Sequence, residues 1–300
     1  MATSELKDKV IVITGASSGF GKGASLEFAR QGASVVLAAR REELLDELAQ
    51  QCESLGGRAV AVPTDVSVAD DVAKLAQQAI SEFGRIDVWV NNAGSGSIGR
   101  FEEIPLEEHV KVIETDLLGT VYGSYAALRH FRERGSGILI NISSVIGKVP
   151  SPYFSSYAAA KHGVVGLSAS IRQELSENHD DNIHVCTVMP TSFDTPFFEH
   201  AGQHTGHQVK PIPPLYEPER VVETIVRLAT DPEDEVSVGT AAKVATFAHQ
   251  LAPKLVEKMM ARETHEAEIT ESKAEPESSG SVLEPMSSGK TVTGGWKKPA

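Results

Sequence analysis

The sequence predicts an α/β fold: one doubly wound, Rossmann-like domain whose mostly parallel sheet carries helices on both faces. Two observations lead there. Short β-branched runs alternate with segments of helical apolar spacing along most of the chain, and the first run ends in a glycine-rich turn that opens a helix. Residues 10–14 form the first run, ending at Gly15, and residues 21–30 place Ala24, Phe28 and Ala29 on one helical face. A second unit follows, with a strand at 34–39, a helix at 42–55 carrying Leu44, Leu45, Leu48, Ala49 and Cys52 at spacings of three and four, and a strand at 59–63. Further strands are expected at 86–90, 137–142 and 184–189, and further helices at 68–83, 106–132 and 156–175. Such a sheet is buried on both faces, which suits the dense apolar runs.

Composition narrows the function. The chain has 300 residues, 41% of them hydrophobic, and 28 basic against 41 acidic side chains for a net charge of −13. That length supports a large core without a metal or disulfide staple. An acidic balance with no basic patch beyond Arg40-Arg41 and Lys297-Lys298 disfavours nucleic acid and anionic membrane surfaces as partners. No apolar run reaches the roughly 20 residues of a membrane span. A polar start running straight into a strand leaves no room for a secretory signal, so the expectation is a cytoplasmic protein with Cys52 and Cys186 reduced.

The turn Thr14-Gly15-Ala16-Ser17-Ser18-Gly19-Phe20-Gly21 has the form of a dinucleotide cradle. Gly15 permits a tight exit from the strand, Gly19 lets backbone amides approach a pyrophosphate, and Gly21 lets the helix pack closely. The pyrophosphate would rest on the helix N-terminus. At the end of the second strand stands Arg40 rather than a carboxylate, so the expected cofactor is NADP(H) in preference to NAD(H): a guanidinium can bond the 2′-phosphate and stack on adenine. A competing account has Arg40 and Arg41 merely facing water beside the next helix.

Tyr157 and Lys161, four apart, lie on one helix face. A tyrosine titrates near 10, so acid/base work near neutrality asks for about 4 kcal/mol of differential stabilisation, part of which Lys161 can supply. Ser143-Ser144 closes the strand 137–142 at the sheet edge where ligands bind in such folds.

With these residues in place, the sequence resembles the short-chain dehydrogenase/reductase family. The glycine loop, Asp65-Val66, Asn91-Asn92-Ala93-Gly94, Ser144, Tyr157 and Lys161 all fall in family order, over about residues 7–239. The resemblance implies a seven-stranded parallel sheet with residues 236–239 as its last strand. It implies that Tyr157 is the general acid/base, that Ser144 bonds the substrate oxygen, and that Lys161 lowers the tyrosine pKa and binds the nicotinamide ribose. By the same carry-over Asp65 accepts from the adenine amino group, Asn91 sits by the adenosine ribose, and Thr195 reaches the carboxamide. Ser17, Ser18, Phe20, Val66, Ala93, Gly94 and Pro190 complete the implied cofactor contacts. The implied activity is hydride transfer between nicotinamide and a carbonyl or secondary alcohol of a small molecule, and the implied assembly is a homodimer or homotetramer. Two positions depart from the family pattern. Asp116 stands where an asparagine usually holds a kink and supports a water relay, and Pro190 is followed by Thr191 rather than glycine. The alternative function is a non-catalytic dinucleotide-binding or redox-sensing interaction protein on the same fold.

The domain is expected to span 1–262, with a substrate lid at about 191–218, rich in proline and aromatics. Pro150, Pro152, Tyr153 and Phe154, with Phe193, Phe197, Phe198, Leu215 and Tyr216, suggest an apolar pocket wall. His200, His204 and His207 have metal-like spacing, but Gly202 and Gly206 argue against a common helix face, so no metal is expected and the histidines read as solvated. Val244, Phe247, Leu251, Leu255 and Met259 form a stripe broken by Pro253, suited to packing within the domain or an oligomer. Residues 263–300, rich in Glu, Ser, Gly and Pro, are expected to be a disordered tail in which Trp296 is the one feature able to dock.

Overall fold

The computed structural model describes residues 5–270 and 273–297. Nine strands and ten α-helices occur among them: β1 (Val10–Thr14), α1 (Gly19–Arg30), β2 (Ser34–Ala39), α2 (Glu42–Ser54), β3 (Arg58–Pro63), α3 (Ala69–Phe83), β4 (Val88–Asn91), β5 (Ser97–Gly99), α4 (Leu106–Ile113), α5 (Gly119–Arg134), β6 (Gly137–Ile142), α6 (Ser155–Glu177), β7 (Ile183–Pro190), α7 (Phe197–His200), β8 (Gly202–His204), α8 (Glu219–Leu228), β9 (Glu235–Val238), α9 (Thr240–Leu251) and α10 (Pro253–His265).

Seven strands form one parallel sheet in the order β3-β2-β1-β4-β6-β7-β9. Val12 of β1 lies beside Val36 of β2 on one side and Trp89 of β4 on the other. The period of two sorts side chains between two cores. Ile11 and Ile13, with Val35 and Leu37, pack under α1, α2 and α8 through Phe28, Leu45, Leu48, Val221 and Ile225. Val10 and Val12, with Trp89 and Leu139, pack under α3, α5 and α6 through Leu75, Phe131, Ile171 and Leu175. Strand order reverses between β1 and β4, and a crevice opens there at the carboxyl ends of the strands.

The segment read as one helix over 106–132 is two helices joined by a π-turn at Glu114–Leu118. Such turns re-aim side chains, and this one carries Asp116 inward. The lid is not loop alone. It contains α7 and β8, and β8 pairs in parallel with β5 to form a second small sheet. The stripe from Val244 to Met259 lies exposed on α9 and α10, not packed on the domain.

The largest departure is the C-terminal tail. Composition assigns 263–300 to disorder, yet α10 continues to His265 and the described residues 273–297 run extended across the lid and the cofactor loop. Low apolar content does not prevent this course, because its backbone carbonyls and amides are bonded by Arg40, Arg41, Gln203 and Asp194. Val282 supplies a fully buried anchor. Residues 271–272 and 298–300 of the expected tail lie outside the described residues.

Candidate active site

The glycine loop leaves β1 through Gly15, whose φ is +67° and where a Cβ would stand 2.8 Å from the Ala93 Cα. Only glycine fits that approach. Asn92 clamps the turn by donating to the Thr14 carbonyl at 2.8 Å, and the Thr14 hydroxyl accepts from the Asn92 and Ala93 amides. Gly21 is held against Gly15, so α1 begins directly behind the loop. These contacts aim the first amides of α1 into the crevice.

A groove of about 450 Å³ runs from this loop to the reaction centre. Its wall brings together Gly15, Ser17, Ser18, Gly19, Phe20, Arg40, Asp65, Val66, Ala93, Gly94, Asp116, Ser144, Tyr157, Lys161, Pro190 and Thr195. Asn91 is not among them. Its carboxamide turns into the helix layer, donating to Asn141 Oδ1 at 2.9 Å and accepting from the Trp89 indole at 2.7 Å, and Asn92 takes the groove position instead. Asp65 does line the groove, but its carboxylate is shared with Ser67 and with Lys111 at 3.1 Å. Burial opposes ionisation there, and the bonds from Ser67 and Lys111 hold the carboxyl below its ordinary value.

At the far end, Ser144 leaves β6 with extended backbone and accepts from the Ile146 amide at 3.2 Å. Tyr157 and Lys161 rise from the first turns of α6, with the Lys161 ammonium 5.4 Å from the tyrosine ring centroid. Lys161 donates to the Ile142 carbonyl at 3.2 Å and pairs with Asp116 Oδ1 at 2.8 Å. The Ser95 amide donates to the other Asp116 oxygen at 2.8 Å. Asp116 therefore does more than accept stray hydrogen bonds: burial pushes its carboxyl above the ordinary value, Lys161 and the Ser95 bonds pull it back, and the 2.8 Å contact makes it the partner of the Lys161 ammonium.

Electrostatics follow from this packing. Burial pushes the Tyr157 phenol above its ordinary value, and the Asp116 charge adds to that; the Lys161 ammonium and the Ser144 hydroxyl pull the other way without prevailing. Burial would strip the proton from Lys161, but Asp116 and Tyr157 hold its pKa above the ordinary lysine value. The arrangement keeps a protonated phenol beside a protonated amine at neutral pH.

The substrate side is apolar. Phe154, Phe193, Phe197 and Phe198 line the groove, and Phe197 sits 5.3 Å from the Tyr157 ring. Tyr153 instead bonds His265 at 2.7 Å, and Tyr216 packs behind Phe193. Of the lid histidines, His204 is buried rather than solvated: its Nε2 lies 2.9 Å from Glu108, which also accepts from Ser97 at 2.5 Å. No metal-ligating cluster occurs among the described residues. Sequence reasoning missed Glu108, Ser95 and Asp194. Asp194 is nearly fully buried and accepts from the Gly294, Trp296 and Lys297 amides of the tail. Neither periodicity nor motif marks these residues, because their partners are distant in sequence.

Residues 9–206 match the family model of short chain dehydrogenases. The chain belongs to the short-chain dehydrogenase/reductase family. An uncharacterized oxidoreductase of Bacillus subtilis, YxnA, is 38% identical over 274 residues, 91% of this chain and 77% of that one. The 3-oxoacyl-[acyl-carrier-protein] reductase FabG of Thermotoga maritima is 32% identical over 77% of this chain and 94% of its own. An alcohol dehydrogenase from Thermococcus sibiricus, solved in complex with 5-hydroxy-NADP, superposes with a TM-score of 0.67 at 28% identity, covering 77% of this chain and 96% of that one. No helix among the described residues is long and apolar enough to cross a membrane.

Proposed function

We propose that this oxidoreductase is an NADP(H)-dependent reductase of apolar ketones or aldehydes, with Tyr157 as the proton donor. One observation carries the reading: Ser144, Tyr157 and Lys161 face the same groove that the glycine loop opens. The residues present fit a dinucleotide. Gly15 leaves space that a Cβ would fill, the amides of α1 suit a pyrophosphate, and Arg40 lines the groove just past the end of β2 with a guanidinium that would suit a 2′-phosphate. A bound nicotinamide supplies hydride chemistry at its C4.

The chain's own part is proton handling. The Ser144 hydroxyl donates a hydrogen bond to the carbonyl oxygen and fixes it beside Tyr157. As negative charge develops on that oxygen, the Tyr157 phenol gives up its proton, and the Lys161 ammonium offsets the tyrosinate left behind. Asp116 keeps Lys161 charged for that moment. A phenol raised by burial is protonated at neutral pH and so available as the acid that reduction requires. The phenylalanines exclude water and favour an apolar substrate. The 2′-phosphate-bearing cofactor of the Thermococcus protein supports the same cofactor class.

The test is turnover of NADPH with a panel of apolar ketones by the purified chain and by Tyr157→Phe. General acid catalysis is worth roughly 10²- to 10⁴-fold, so kcat should fall by that factor while calorimetric NADPH binding persists. Unchanged turnover in the variant removes Tyr157 from the mechanism, and absence of binding by either NADPH or NADH removes the oxidoreductase reading.

A further inference from the structure

The donors that suit a 2′-phosphate are already engaged by the chain's own tail. Arg40 donates from Nη2 to the Ser281 carbonyl at 2.6 Å and from Nη1 to the Leu283 carbonyl at 3.3 Å. Arg41 donates from Nη1 to the Ser288 carbonyl at 2.8 Å and the Met286 carbonyl at 3.3 Å, and its Nε and Nη2 hold Ser17 of the glycine loop. A guanidinium presents a fixed fork of N–H groups, so the same edge cannot serve a phosphate and these carbonyls together.

We propose that residues 281–291 form a strap that sets the choice between NADP(H) and NAD(H) by competing with the 2′-phosphate for Arg40 and Arg41. The inference rests on the dinucleotide reading above. The strap is built, not loosely apposed. Val282 is buried to 1% exposure, the Ser281 amide donates to the His200 carbonyl at 2.7 Å, and Asp194 collects the amides of Gly294, Trp296 and Lys297. The Trp296 indole donates to the Thr195 carbonyl at 3.2 Å and its ring meets Phe198 edge-on.

The competition has two parts of different selectivity. The Gly19 amide, first in α1, donates to the Thr291 carbonyl at 2.9 Å, a contact on the pyrophosphate side that burdens both dinucleotides alike. The carbonyls of Ser281, Leu283, Met286 and Ser288 engage the arginines, that of Ser288 also lying 3.3 Å from His200 Nε2, and only a cofactor with a 2′-phosphate needs to draw the arginines away from them. The strap lines the groove through Ser281, Pro285 and Met286 without filling it, so the smaller-charged cofactor can enter with less displacement. Neutral carbonyls are weaker acceptors than a phosphate dianion, so NADP(H) can win the arginines, at the expense of strap contacts that NAD(H) leaves in place.

Two measurements on full-length protein decide it. In the unmodified chain, hydrogen exchange of strap peptides confined to 281–288, the stretch whose carbonyls hold the arginines, is followed with saturating NADPH and with saturating NADH. Exchange should accelerate with NADPH and change little with NADH; increased protection by NADPH would make the strap part of the NADP site and overturn the proposal. The second is calorimetry on the Val282→Ser/Trp296→Ala double variant, which removes both apolar anchors of the strap without placing a charge beside Arg40. The ratio of NADPH to NADH affinity should rise about tenfold or more, and a ratio that is unchanged or lower overturns the proposal. Loss of binding of both dinucleotides to both proteins would instead strike down the cofactor reading itself, and the strap's role with it.

Discussion

Replacing Asp116 by Asn tests whether its carboxylate is the counter-ion that holds Lys161 charged. The pair is almost fully buried, with Lys161 4% and Asp116 0% exposed and the charged atoms 2.8 Å apart. Asn keeps an acceptor for the Ser95 amide but turns a neutral amide toward the ammonium, so the loss is chiefly that of the ion pair. Breaking a buried pair from one side costs about 3–5 kcal/mol. At about 2.1 cal/mol/K per residue, unfolding of 300 residues carries about 0.6 kcal/mol/K, so Tm should fall by about 5–8 °C. Lys161→Met should cost a similar amount, since it strands the carboxylate. The double variant should then cost less than the sum of the two by about 2 kcal/mol or more, because no charge is left unpaired. Urea unfolding of the four proteins at constant m reads these differences from the midpoints. Additivity within about 0.5 kcal/mol would refute the reasoning and return Asp116 to a role in shaping the π-turn.

Two further outcomes follow from the electrostatics. Reduction needs the Tyr157 proton, and burial holds that phenol above the ordinary tyrosine value, so kcat/KM for ketone reduction should stay level through neutrality and fall only in the alkaline range beyond that ordinary value. Alcohol oxidation needs the tyrosinate and should climb over the same range; a reductive profile already falling near pH 8 would contradict the burial argument. Burial also pushes the Cys52 and Cys186 thiols up to about 12 and about 11, so neither should react with a disulfide reagent at pH 8 in the native protein, while both should react after denaturation. Rapid native labelling of either cysteine would show that its surroundings open far more readily than the packing implies.

The parts of this molecule legible in its sequence are those whose physics is local. A β-branched run followed by Gly15, Gly19 and Gly21 specifies a strand, a turn and a helix start within a dozen residues, and the spacing of Tyr157 and Lys161 sets a shared helix face. Both survive in the structure. What escaped is non-local. The 106–132 pattern is apolar at helical spacing throughout, and that spacing does not mark the π-turn that swings Asp116 under Lys161; only the family resemblance points to a kink at this position. Asn91 and Asn92 are neighbours of the same type: Asn91 ends β4 with its carboxamide bonded to Asn141 in the helix layer, and Asn92, just past the strand, is drawn to the glycine loop by the Thr14 carbonyl. The tail looked disordered because burial of apolar surface was the only stabilisation composition can reveal. It is held by side-chain bonds to its backbone, and backbone groups are present in every sequence alike.

The position of Asp194 explains how those bonds persist. It stands between Phe193 and Thr195: Phe193 packs edge-on against Phe20 of the glycine loop at 5.5 Å, and the Thr195 carbonyl receives the Trp296 indole. A carboxylate this buried needs donors, and among the described residues no basic side chain is paired with it; the tail amides are what satisfy it. Removing the tail would strip Asp194 of these donors and leave water as their replacement, a change felt by the lid as much as by the strap. Lid, glycine loop and strap are therefore mechanically one unit. The Trp296 bond to the Thr195 carbonyl and its edge-on contact with Phe198, whose neighbour Phe197 lies 5.3 Å from the Tyr157 ring, are where the strap meets the wall against which Tyr157 works.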